Sequence, residues 1–130
     1  MPSVETYKSL QAAGIDLTSD EGVLFNRYDS LATTADLSGL FEVLASVKDS
    51  MNRPAVFTPV AVVANPDFRK IKESAYTAYY FEPFTDTLLK NSGCEGSFDL
   101  WQEGIRRRLF VPQFHGREHL NVKVWMKALN

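Results

Sequence analysis

The chain has 130 residues, 45% of them hydrophobic and 23% charged, and a formal net charge of -2. These values suit one folded domain, and they supply no electrostatic attraction to a phosphate backbone or an anionic membrane, so nucleic acid is not an expected partner. A single cysteine, Cys94, excludes an internal disulfide and, with only two histidines, a cysteine-rich zinc module.

The first residues carry neither the basic region nor the apolar stretch of a secretory signal, and no later run approaches the ~20 apolar residues of a membrane span. A cytoplasmic chain without a membrane span is therefore expected. Val4, Tyr7 and Leu10 have helical spacing, and Gly14 reads as a stop. Residues 17–28 are irregular and polar and read as a loop. Leu37, Leu40, Phe41, Leu44, Val47 and Met51 follow the i, i+3, i+4, i+7 pattern, with Thr33 or Thr34 placed to accept the first free amides, which predicts a helix of about four turns.

Asn52-Arg53-Pro54 breaks that helix, and residues 55–64 form a nearly unbroken apolar run rich in β-branched side chains, the pattern of a parallel strand buried on both faces. In Asn65-Pro66-Asp67-Phe68, Asn65 is placed to cap a helix, Pro66 to occupy its first position and Asp67 to complement its dipole. Residues 76–84 hold three tyrosines and two phenylalanines, compatible with a strand or an aromatic wall. Helical spacing resumes at Phe84, Leu88 and Leu89, with Gly93 as a stop, and again at Phe98, Trp101 and Ile105 after the candidate cap Ser97. That second helix ends in Arg106-Arg107-Arg108, cations well placed near a helix C-terminus. Residues 109–114 read as another strand despite Pro112. Val122, Trp125, Met126 and Leu129 form a final helical stripe capped by Asn121. Helices alternating with apolar runs predict an α/β domain of parallel βα units, in which ligands bind beyond the C-terminal ends of the strands. Asn65 and His115 both fall there.

His115 and His119, the only histidines, lie four apart. Two positions drawn at random from a chain of this length would do so in roughly 1 case in 65, so the spacing nominates a site without proving one. Neutral imidazole is the commonest side-chain ligand of borderline metals, and a loop between strand and helix can aim two rings at one ion. A hydrolytic centre needs a third ligand, which here must be Asp or Glu from this chain or outside it, and an open position for water. Against this stands a plainer reading, in which both histidines are hydrogen-bonded loop residues, Arg117 and Glu118 form a solvated ion pair, and capping alone accounts for Asn65. His115-x-x-Glu118-His119 also matches the inverted zinc-peptidase pattern. That mechanism wants both histidines on one continuous helix and a further acidic ligand well downstream, and here Gly116 follows a strand-like run.

The segment Phe110-Val111-Pro112-Gln113-Phe114-His115-Gly116-Arg117-Glu118-His119-Leu120-Asn121, with Arg27-Tyr28-Asp29-Ser30-Leu31 and Val63-Ala64-Asn65-Pro66-Asp67, resembles polysaccharide deacetylases of bacterial surface-polysaccharide gene clusters. The resemblance implies a distorted (β/α) barrel and a divalent metal, zinc, held by one Asp and the two histidines of H-x-x-x-H, here His115 and His119. It also implies hydrolysis of acetyl groups on a carbohydrate substrate. Asn65, Arg117 and Arg27 are the candidate substrate-binding residues. The family's adjacent Asp-Asp pair, which provides the base and third ligand, has no counterpart in this sequence, and Gly116 stands where Ser or Thr is usual. The expectation is therefore a partial (β/α) barrel, an internal portion of a larger protein, inactive alone and prone to self-association through exposed strand edges. A non-catalytic carbohydrate-binding or interaction domain is the alternative.

Overall fold

Local capping chemistry sets the helix boundaries in the computed structural model, which describes residues 4–15 and 30–129, with the side chains of 4–7 left aside. The chain divides into two units, residues 1–31 and 32–130. In the first, helix α1 spans Val4–Ala12 and ends at Gly14, whose φ of 76° is the left-handed conformation of a helix stop. The irregular segment expected over 17–28, with Arg27, lies outside the described residues.

In the second unit, helix α2 spans Thr34–Ser46. Thr33 accepts from the Asp36 amide while the Asp36 carboxylate accepts from the Thr33 amide, a capping box that satisfies two orphan donors at once. The helix stops short of Met51. Asp49 accepts hydrogen bonds from the amides of Met51 and Arg53 at 2.8 and 2.9 Å, offering the backbone a turn in place of another helical turn. Asn52 adopts the φ of 61° that this turn requires.

The apolar run over 55–64 is a short strand covered incompletely, a correction to the expectation of burial on both faces. Strand β1 is Val60–Val62, and Val56, Phe57, Val60 and Val63 are exposed. It pairs in parallel with β4, Gln113–Gly116, and with no other described strand, so the sheet has two strands and little to shield its faces. Parallel pairing itself is as expected, and the ladder continues outside the strands. The Phe57 amide donates to Leu109 O at 2.9 Å, the Val111 amide to Phe57 O at 2.9 Å, and the Gln113 amide to Pro59 O at 2.8 Å.

A second correction concerns Asn65 and Pro66. They lie in strand β2, Ala64–Pro66, antiparallel to β3, Phe81–Pro83, and Asp67 caps helix α3, Phe68–Glu73, by accepting from the Lys70 amide at 3.0 Å. Pairing of Asn65 with Glu82 and Pro66 with Phe81 commits both residues to extended backbone, which moves the cap two positions on. Between α3 and β3 the chain reverses through Ala75 and Tyr76, at φ 49° and 62°. Helix α4, Phe84–Leu89, precedes the left-handed Gly93, and helix α5 spans Ser97–Arg106. Ser97 does not cap α5. Gly96 occupies the cap position, and the buried Ser97 hydroxyl donates to Ala32 O at 2.9 Å. Helix α6, Val122–Leu129, is capped by Asn121, whose Oδ1 accepts from the Val124 amide at 3.2 Å. The described architecture is mixed α/β with one parallel and one antiparallel two-stranded sheet, and no closed barrel forms among the described residues.

Leu37, Phe41, Leu109 and Phe110 form the core, with Leu40, Leu44, Leu100 and Trp101 packed around it. Phe110 is its hub. It meets Trp101, Phe41 and Phe57 at centroid separations of 5.0, 5.6 and 5.9 Å. Gly104 of α5 lets the two segments close, since an added Cβ would sit 2.4 Å from Phe41 Cζ and 2.9 Å from Phe110 Cβ. Gly39, on the exposed face of α2, has nothing within 4 Å of the same position. Alanine gains about 1 kcal/mol of helix propensity at either site, but overpacking a buried aromatic cluster costs about 1–3 kcal/mol. Urea unfolding should therefore show Gly39→Ala stabilised and Gly104→Ala destabilised; the same sign at both positions would contradict this core.

Candidate functional site

His115 owes its position to an irregularity in the β1–β4 ladder. Val60, Ala61 and Val62 pair with Gln113, Phe114 and Gly116, so His115 is the extra residue of a β-bulge, rare in parallel pairs. A bulge re-aims the side chain it frees. Gly116, at φ 134°, takes up the bend in a backbone region that strains any L side chain. The main chain is then tied back, with the Val63 amide donating to Gly116 O at 3.3 Å and to Arg117 O at 3.2 Å, and the Ala64 amide to Arg117 O at 2.8 Å.

Past this tie, His119 returns against His115. The two exposed imidazoles stand edge to face, with centroids 4.8 Å apart and planes at 85°. Two imidazoles coordinating one ion at ~2.1 Å and a tetrahedral angle would place their centroids about 5 Å apart. A separation of 4.8 Å is close to that value and is also that of an ordinary edge-to-face ring contact. No group of three His, Cys, Asp or Glu able to hold a metal occurs among the described residues.

The nearest carboxylate in sequence, Glu118, is otherwise engaged. Arg117 donates to it through Nε at 2.6 Å and Nη2 at 2.8 Å. The guanidinium carbon lies 4.8 Å from the Phe81 ring centre and 5.3 Å from that of Tyr79. The Glu118 side chain is only 8% exposed and that of Arg117 44%, so the pair is partly sequestered, a correction to the solvated ion pair of the plainer reading. The Arg117 hydrogen bonds hold the Glu118 carboxyl below the usual range. The Tyr79 hydroxyl beside it is buried without a hydrogen bond of proper geometry, and burial, then the Glu118 charge, push its pKa up.

Asn65 is drawn into another network. Its amide donates to Thr87 Oγ1 at 3.0 Å, Thr87 donates to Glu82 Oε1 at 3.0 Å, and Glu82 is ion-paired with Lys90. Of the four sequence candidates in the described region, the structure joins His115 to His119 directly, places Arg117 between them in the chain and bound to aromatic rings, and turns Asn65 toward α4. Tyr79 and Phe81 were visible in the sequence only as part of an aromatic cluster, with no signal linking them to Arg117.

Comparison with protein-family models, curated proteins and solved structures finds no match to this chain.

A carboxyl whose folded pKa is depressed stabilises the fold above its unfolded pKa, about 4.3 for Glu, and the contribution is lost as pH falls through the lowered folded value. Carbon-detected NMR titration should thus place the Glu118 midpoint below that of the exposed glutamates, and Arg117→Ala should raise it. An unchanged midpoint in the variant would show that Arg117 does not hold the carboxylate.

Proposed function

We propose that this chain is a portion of a metal-dependent, polysaccharide deacetylase-like hydrolase, built as a partial (β/α) barrel, in which His115 and His119 provide two of three protein ligands to a divalent ion, zinc. The observation that carries the reading is the 4.8 Å imidazole pair formed by His115, on the bulge of the parallel strand β4, and His119, in the turn that follows. Sites in parallel α/β folds gather at that end of the strands.

A divalent ion bound there supplies Lewis acidity for an acyl carbonyl and lowers the pKa of a water. The chain's own part is to present two neutral imidazoles from a fixed turn. Carbohydrate recognition falls to exposed apolar rings: Phe114, which precedes His115 in the chain, is 74% exposed, and Tyr80, between Tyr79 and Phe81, is 40% exposed. Such faces suit the C–H surface of a sugar. The third ligand and the proton-accepting carboxylate, which in the resembling family come from an Asp-Asp pair, have no counterpart in this sequence. General-base assistance is typically worth 10²–10⁴-fold, so this chain alone is expected to bind metal without measurable release of acetate.

Titration with zinc or cobalt should show one equivalent taken up by the chain and at least about tenfold weaker uptake by His115→Ala and His119→Ala. Equal uptake by all three proteins would overturn the proposal. The exposed rings also favour a second reading, a carbohydrate-binding domain without catalysis. It predicts binding to a glycan array that survives replacement of both histidines.

A further inference from the structure

The turn 116–121 has little regular structure of its own, yet it must hold two imidazoles in contact. Its backbone is tied at the near side, where Gly116 O and Arg117 O accept from the Val63 and Ala64 amides, and at the far end, where Asn121 O accepts from the Trp125 amide at 2.9 Å. Between these two ties the holding contacts are made by the side chains of Arg117 and Glu118. The guanidinium spans the faces of Phe81 in β3 and Tyr79 just before it, at 4.8 and 5.3 Å, and its two-pronged bond to Glu118 draws that carboxylate inward to 8% exposure. Glu118 immediately precedes His119, so fixing Glu118 fixes where the second imidazole leaves the chain.

We propose that Arg117 is the positioning residue of the histidine pair, acting through Glu118 and the Tyr79–Phe81 wall to keep His119 against His115. The inference rests on the reading of the two imidazoles as one ligand pair, and it gives Arg117 a role other than direct contact with substrate. Several features favour geometry over charge alone. Both guanidinium prongs are used, at 2.6 and 2.8 Å, and the planar group lies over two rings, a combination an ammonium group does not offer. Groups that orient metal ligands from behind are typically worth 10–100-fold in metal affinity.

The test begins without metal. The chain has only two histidines, so their ring protons can be assigned by single substitutions, and a centroid separation of 4.8 Å gives a ring-to-ring nuclear Overhauser effect. At pH 8 this effect is expected in the wild type and lost in Arg117→Ala, with the resonances of Leu37 and Phe110 unchanged. Arg117→Lys, which keeps the charge, should not restore it. Should Arg117→Ala disturb the core resonances, Phe81→Leu decides, because Phe81 is 47% exposed and leucine removes the ring face while keeping apolar bulk. A weakened effect in Phe81→Leu then supports the proposal and a wild-type effect overturns it.

Zinc affinity is the second readout, expected to fall about tenfold or more in Arg117→Ala. A wild-type ring-to-ring effect in a folded Arg117→Ala overturns the positioning role, even where zinc binds. A wild-type chain that takes up no zinc overturns the metal reading, while the Overhauser result still decides the role of Arg117. Full rescue of both readouts by Arg117→Lys would show that charge alone suffices and would also overturn the proposal.

Discussion

The parallel pairing of residues 57–64 with residues 109–117 is the constraint on which the second unit depends. Besides the ladder of β1 and β4 themselves, six backbone hydrogen bonds run along it, from the Phe57 amide on Leu109 O to the Ala64 amide on Arg117 O. Near its start it brings Phe57 against Phe110, the residue around which Phe41 and Trp101 also pack. Near its end it carries His115 outward and ties the following turn. Core and candidate site are thus opposite ends of one ladder. Such a pairing joins segments about fifty residues apart, so its loop-closure entropy must be offset by the burial that it brings about, chiefly at Leu109 and Phe110.

The bulge links this constraint to chemistry. A regular ladder would give His115 a partner on β1 and alternate its side chain with Phe114. One extra residue releases it, and glycine at 116 tolerates the resulting φ of 134°. Gly116 thereby has a physical reason in this chain. The antiparallel pair β2–β3 contributes the other half of the support, since β3 delivers Phe81 beneath the Arg117 guanidinium. Two small sheets, neither stable by itself, therefore converge on residues 115–119.

Features that depend on neighbouring residues were legible in the sequence. Thr33 and Asn121 do cap their helices, Gly14 adopts the left-handed stop, and the two apolar runs do pair in parallel, whereas α4 ends at its cap Lys90, three residues before the left-handed Gly93. Features that depend on how many segments meet were not. The β-branched run over 55–64 has the composition of a strand covered on both faces, but composition does not count neighbours, and among the described residues only β4 pairs with β1. Asn65 and Pro66 have ideal local chemistry for starting a helix, and tertiary pairing with Glu82 and Phe81 overrides it. Ser97 was diverted in the same way, to Ala32 O. At the site, spacing singled out both histidines, while the bulge and the aromatic seat of Arg117 arise from registers that no local pattern records.

The central claim is that His115 and His119 share one divalent ion. X-ray absorption at the zinc edge of the zinc-loaded chain tests it most directly, because multiple scattering from imidazole rings reports how many are bound. The account predicts two imidazoles at Zn–N distances of about 2.0–2.1 Å, falling to one in either single histidine variant. A spectrum without imidazole scattering, or one unchanged by both substitutions, would contradict it.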